Sequence, residues 1–163
     1  MYSKVLVPLD GFELAEGILG HVREMVTGCQ VSEVVLLTVV EGNGQGLPST
    51  TWGGVKVAEH RAALAAESVT EAREYIEKVA DELEKEGMVV HPVVIQGKVA
   101  EGILDYATEN QVDLIMMSTH GRSGPSRWAL GSVADRVIRH SLIPILIVSP
   151  KGCRIPYSRS FGE

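Results

Sequence analysis

Two stretches of the 163-residue chain combine residue types suited to gripping an anion or a sugar. The first is Pro8-Leu9-Asp10-Gly11. The second begins Ser118-Thr119-His120-Gly121-Arg122-Ser123-Gly124 and continues to Leu130-Gly131-Ser132-Val133. A glycine-bearing turn that leads into a helix lets backbone N–H groups approach a phosphate and adds the positive end of the helix dipole. Gly121 and Gly124 supply room for such an approach. Gly131 reads as lying within the early turns of a helix over residues 126–140. A glycine there costs about 1 kcal/mol against alanine, which implies close packing or a ligand brought near. Ser132 beside it carries a hydroxyl that can donate to a phosphate oxygen. Turn chemistry and tight helix–strand packing account for the same glycines equally well. Asp10 either accepts hydrogen bonds from a ribose or an amino group, or caps the following helix. Composition favours the cap slightly.

The remaining reactive side chains form no catalytic constellation. His120 shares the second stretch, yet no acidic residue is placed by sequence to orient it, so it reads as an exposed loop histidine. His21, His60, His91 and His140 lack metal-ligand spacing, and no nucleophile elbow is present. Cys29 and Cys153 match no metal or redox spacing, which fits small buried or incidental residues in a reducing compartment. The net charge of −6 removes the general attraction to phosphate backbones and argues against nucleic-acid binding. No apolar run approaches the ~18 residues of a membrane span, and the opening residues lack the pattern of a signal peptide. A cytoplasmic location without membrane attachment is expected.

Residues of these kinds act only if the chain brings them together. Five apolar runs rich in β-branched residues read as strands: Lys4 to Leu9, Glu33 to Val40, Met88 to Ile95, Asp113 to Ser118 and Pro144 to Ser149. Continuous runs such as Val34-Val35-Leu36-Leu37 suit strands covered on both faces. Between them lie helical stripes. Leu14, Ile18, Val22 and Met25 form one, and Ala65, Val69, Ala72, Ile76, Val79 and Leu83 a second that stops at Gly87. A third helix fits Val99 to Asn110, and a fourth Ser126 to His140. Strict alternation predicts right-handed crossovers and an open, doubly wound parallel α/β sheet, with ligands beyond the carboxyl ends of its strands. Pro92 cannot donate to a ladder, which sends the third strand to an edge. The fifth strand has no successor to cover it, so a second subunit is its simplest partner. Length predicts one domain over residues 1–150, with a tail at 151–163 that is either loosely ordered or packed on a neighbouring subunit. Residues 41–56, rich in glycine, read as a long loop, either a solvated insertion or a lid.

These residues together resemble the universal stress protein family over about residues 3–149. The resemblance rests on Pro8-Leu9-Asp10-Gly11, on Val34 to Val40, and on the turn containing Gly97. Above all it rests on Ser118-x-x-Gly121 followed after nine residues by Gly131-Ser132, similar to the family's nucleotide-binding signature. It implies a Rossmann-like five-stranded parallel sheet of order 3-2-1-4-5, ATP between the first and fourth strands, and a homodimer through the fifth. It also implies Mg²⁺ or Mn²⁺ arriving with the phosphates, at most slow hydrolysis, and action through conformation or unknown protein partners in stress response. By position, Pro8, Leu9 and Asp10 would line the adenine and ribose side, with Val39 and Met117 near the base. Gly121, Gly131, Ser132 and Val133 would cradle phosphates, and Arg122 matches a frequently basic position. Ser118 replaces the signature's first glycine. If its φ is positive, the serine costs about 1–2 kcal/mol; in an extended strand it costs nothing and its hydroxyl can reach the ligand. Phe12 stands where serine is common, removing a helix cap and adding an apolar side chain near the site. The alternatives are a nucleotide-independent dimeric interaction protein of the same fold, or a slow ATPase.

Overall fold

Runs of branched apolar residues leave a strand with no polar face, and the molecule answers by covering its sheet on both sides. The computed structural model describes residues 2–41, 54–119 and 131–149. Strands β1 (Lys4–Pro8), β2 (Glu33–Val40), β3 (Val90–Gln96), β4 (Leu114–Ser118) and β5 (Ile145–Val148) form a parallel sheet of order β3-β2-β1-β4-β5. Val5, Val7, Val34, Leu36 and Met116 face one side, where they pack with Ile18, Val22, Ile76 and Leu83. Leu6, Val35, Leu37, Ile115 and Met117 face the other, against Ile103, Ala107 and Val137. The helices are α1 (Glu13–Glu16), α2 (Leu19–Cys29), α3 (Gly54–Lys85), α4 (Val99–Glu109) and α5 (Ser132–His140); Ile18 is the N-cap of α2, and the other partners lie within α2 to α5.

The expected order of strands and the edge position of β3 both hold. On β2 the alternation is visible in two bonds: Gly97 N donates to Val40 O at 3.0 Å, toward β3, and Leu9 N donates to Leu37 O at 2.9 Å, toward β1. Counting back from Gly97 by twos, the residues of β3 that donate to β2 exclude Pro92, so its missing N–H faces outward.

Three helices depart from the sequence reading. The first stripe is divided at Gly17, between α1 and α2, although Ile18 and Val22 remain fully buried across the break. The second helix starts at Gly54, well before Ala65. Ala58, Glu59, Arg61, Ala62, Ala63 and Leu64 are all strong helix formers, so the helix extends without a stripe to announce it. It ends as expected at Gly87, whose φ of +87° completes a Schellman turn. There Met88 N donates to Leu83 O at 3.3 Å and Gly87 N to Glu84 O at 2.9 Å. The fourth helix begins at Ser132 among the described residues. Of the loop expected over 41–56, residues 54–56 are instead the first residues of α3 and residues 42–53 lie outside the described residues, as does the expected tail at 151–163. Cys29 is exposed at the end of α2, so it is no part of the core.

Candidate functional site

Beyond the carboxyl ends of β1, β2 and β4 lies a cleft of about 610 Å³, a volume typical of small-molecule sites. It sits where the order of strands reverses, between β1 and β4. Pro8, Leu9 and Asp10 line it from the end of β1, Val39 from β2, Met117 and Ser118 from β4, and Gly131, Ser132 and Val133 from the start of α5. Gly121 and Arg122, the other two expected members, lie outside the described residues, as does His120.

The β1 side is fixed by local hydrogen bonds. The buried Thr38 hydroxyl donates to Leu9 O at 3.1 Å, and Phe12 N donates to Asp10 Oδ1 at 3.2 Å. That second bond closes a small turn around Gly11, whose φ of +84° suits a residue without Cβ. Phe12 is the N-cap of α1 and makes no side-chain capping bond. Asp10 therefore braces the turn two residues ahead of the helix and is not the helix cap that composition favoured. The Phe12 side chain is 44% exposed and lines the cleft, as its substitution for serine implied.

The β4 side is pinned at both ends of the second chemistry-bearing stretch. Thr119 N donates to Val148 O at 2.9 Å, and Gly131 N donates to Thr119 O at 2.9 Å, drawing the start of α5 onto the end of β4. Gly131 is not inside a helix. It is the N-cap of α5, with φ −56° and ψ 147°. The helical pattern expected to run through residue 131 does not include it, because Gly131 turns extended to meet Thr119. Ser118 is the last residue of β4, and the non-glycine residues with positive φ among those described are Gln30 and Gln111. The serine therefore carries no left-handed strain.

The cleft is electrically two-sided. At the N-terminus of α5 no side chain caps the helix. Asp135 N is the first amide to bond back, to Gly131 O at 2.9 Å, which leaves the amides of Ser132, Val133 and Ala134 without intrahelical acceptors. With the helix dipole behind them they favour an anion. The nearby Asp135 carboxyl is occupied by Arg139 at 2.9 Å, and that hydrogen bond holds it below the usual carboxylate range. The opposite wall comes from α3, through Ser68, Glu71, Ala72 and Tyr75. Tyr75 donates its hydroxyl to Glu16 Oε1 at 2.9 Å. Burial first, then that bond and the charges of Glu16 and Asp10, push the phenol above the ordinary tyrosine range and keep it protonated.

These α3 residues were not legible as cleft residues in the sequence. A helix of 32 residues spans about 48 Å, against about 26 Å for a strand of eight. The helix therefore runs past the strand ends, and Ser68 to Tyr75, midway along it, wall the site. A stripe reports which face is buried, not how far the helix runs. Thr38 and Thr119 were missed for a related reason, since each matters through the strand end beside it.

The end of β2 adds a directional edge. Odd-numbered residues of β2 turn their amides toward β1, as Glu33 N to Ser3 O at 3.1 Å and Leu9 N to Leu37 O at 2.9 Å show. Register with β1 ends at Leu37, opposite Pro8, whereas pairing with β3 continues to Val40. The N–H and C=O of Val39 thus face the cleft side past the end of β1. Among the described residues, no group of three or more His, Cys, Asp or Glu side chains gathers as a metal site, and no helix is long and apolar enough to cross a membrane.

The family model described as the universal stress protein family matches residues 1–149. The chain belongs to that family. It is 34% identical over 158 residues to the universal stress protein MJ0577 of Methanocaldococcus jannaschii, covering 93% of this chain and 97% of that one. The solved structure of MJ0577 superposes with a TM-score of 0.80 over 93% of this chain and 99% of its own. Two more distant members share the fold. The universal stress protein of Archaeoglobus fulgidus solved in complex with dAMP has 20% identity and a TM-score of 0.63, covering 90% of this chain and 97% of that one. A family protein from Arabidopsis thaliana solved with AMP bound has 12% identity and a TM-score of 0.62, covering 96% and 97%.

Proposed function

We propose that this universal stress protein binds an adenine nucleotide, ATP together with Mg²⁺ or Mn²⁺, in the cleft between β1 and β4. The observation that carries the reading is the uncapped start of α5 facing a cleft whose far corner offers the Val39 amide. The amides of Ser132 and Val133, the Ser132 hydroxyl and the Ser118 strand end receive phosphate oxygens, and Gly121 and Arg122 are assigned to the same phosphates by their match to the family signature. The divalent cation is held by the phosphates themselves. Pro8, Leu9 and Asp10 take the ribose side, and Val39 and Met117 the base. A neighbouring N–H and C=O match the acceptor N1 and donor N6 of adenine, while guanine presents the opposite pair at those positions. The relatives solved with dAMP and AMP support the adenine class of ligand.

The chain is one domain over residues 1–150 followed by a tail, and it works as a homodimer through β5. β5 is the edge strand next to β4, and its four apolar residues are only half-buried. Ligand occupancy acts by favouring one conformation over another, and any hydrolysis is slow. Titration calorimetry with ATP, ADP, AMP and GTP tests this: saturable ATP binding, weaker with each phosphate removed and absent for GTP, is expected. Gly131→Trp should abolish it while the dimer persists. Silence with every nucleotide would leave the interaction-protein alternative standing.

A further inference from the structure

Gly102 lies on the face of α4 that packs on the sheet, one turn after the helix begins. A Cβ built there would stand 3.1 Å from Val39 Cγ1, 3.4 Å from Val39 Cγ2 and 3.1 Å from Ile95 Cδ1. Val39 and Ile95 are register partners on β2 and β3, so the missing side chain lets α4 sit directly over that pair. Val39 also lines the cleft, as do Val99 and Ile103 on either side of Gly102 in α4. One residue thus has a helix against one side of its side chain and the binding cleft on the other. We propose that Gly102 sets the depth of the base subsite: Val39 seats against α4 because nothing projects from residue 102, and the cleft gains the space Val39 gives up. The inference rests on the nucleotide reading and names the residue that governs one part of that site.

The prediction has opposite signs for stability and for binding. A Cβ at 3.1 Å from a methyl requires its neighbour to move by a few tenths of an ångström. Val39 can yield, since the cleft is open beside it. The helix meanwhile gains from alanine replacing glycine in its interior. Gly102→Ala should leave the thermal midpoint unchanged or raised, shift the Val39 methyl resonances of the free protein, and weaken ATP binding about tenfold. In a Val39→Ala background both Val39 methyls are gone and the contact left is with Ile95, which does not line the cleft, so adding Gly102→Ala should alter affinity by less than about twofold. Wild-type affinity in the single variant overturns the proposal. So does a lowered midpoint with unmoved Val39 methyls, which means the strain is taken up in the core. Should the unsubstituted protein bind no nucleotide, the reading of the site fails, and the methyl shifts alone then decide whether Gly102 seats Val39.

Discussion

At the level of single residues, the clearest consequences come from carboxylates held by specific donors. Asp113 accepts from Ser3 N at 2.8 Å and Lys4 N at 2.9 Å, tying the amino end of β1 to the start of β4. Those backbone bonds, from Lys4 first and Ser3 second, hold its carboxyl below the ordinary value of 3.8. A carboxyl depressed in the folded state contributes stability above its unfolded pKa and loses it as pH falls through the folded one. Asp113→Ala should therefore cost about 1 kcal/mol at neutral pH, solvent screening keeping it at the low end for charged bonds. It should also flatten the fall in melting temperature on acidification below about pH 4. Thermal melts across pH for both proteins measure it, and parallel acid limbs would refute it. Tyr75 offers a second check. It is one of four tyrosines, and ultraviolet titration should show one phenol ionising later than the others, a feature lost in Tyr75→Phe.

At the level of elements, the start of α5 separates a structural from a ligand-binding role. Ser132 is the first helical residue, where proline is well tolerated because its missing N–H has no partner in the helix. Gly131, at φ −56° and ψ 147°, already has the extended shape that a residue before proline requires. Ser132→Pro should hold the melting temperature within about 2 °C. It should weaken ATP binding at least about tenfold, because an amide and a hydroxyl are removed from the phosphates. A variant that binds ATP as tightly as the parent would show that these donors face no ligand. The same logic explains why the substitution at Ser118 is harmless to the backbone: the residue ends a strand, and strand geometry accepts serine without strain.

At the scale of the molecule, the unanswered surface is the β5 edge. Four consecutive apolar residues are only part-buried there, and Leu142, three residues upstream, is fully exposed. The proposed second copy would bury this edge and Leu142 together. Leu142→Lys should leave the far-ultraviolet spectrum unchanged and shift the sedimentation profile from dimer toward monomer. A parent protein that sediments as a monomer at micromolar concentration would rule the dimer out.

Periodicity alone determined most of the frame. Strand runs with apolar residues on both faces required a covered parallel sheet, Pro92 required an edge, and the Gly87 stop required the end of α3. These are local demands of backbone chemistry and burial, and they need no knowledge of distant neighbours. Tertiary structure decided the rest. Gly131 is a cap and not a helical residue because Thr119, twelve residues earlier in the chain, accepts its N–H. Asp10 braces a turn because Phe12 N lies within its reach. Tyr75 and Glu71 line the cleft because α3 passes beside it, and Gly102 touches the sheet because α4 packs on Val39 and Ile95; distances between elements are fixed only when the elements meet.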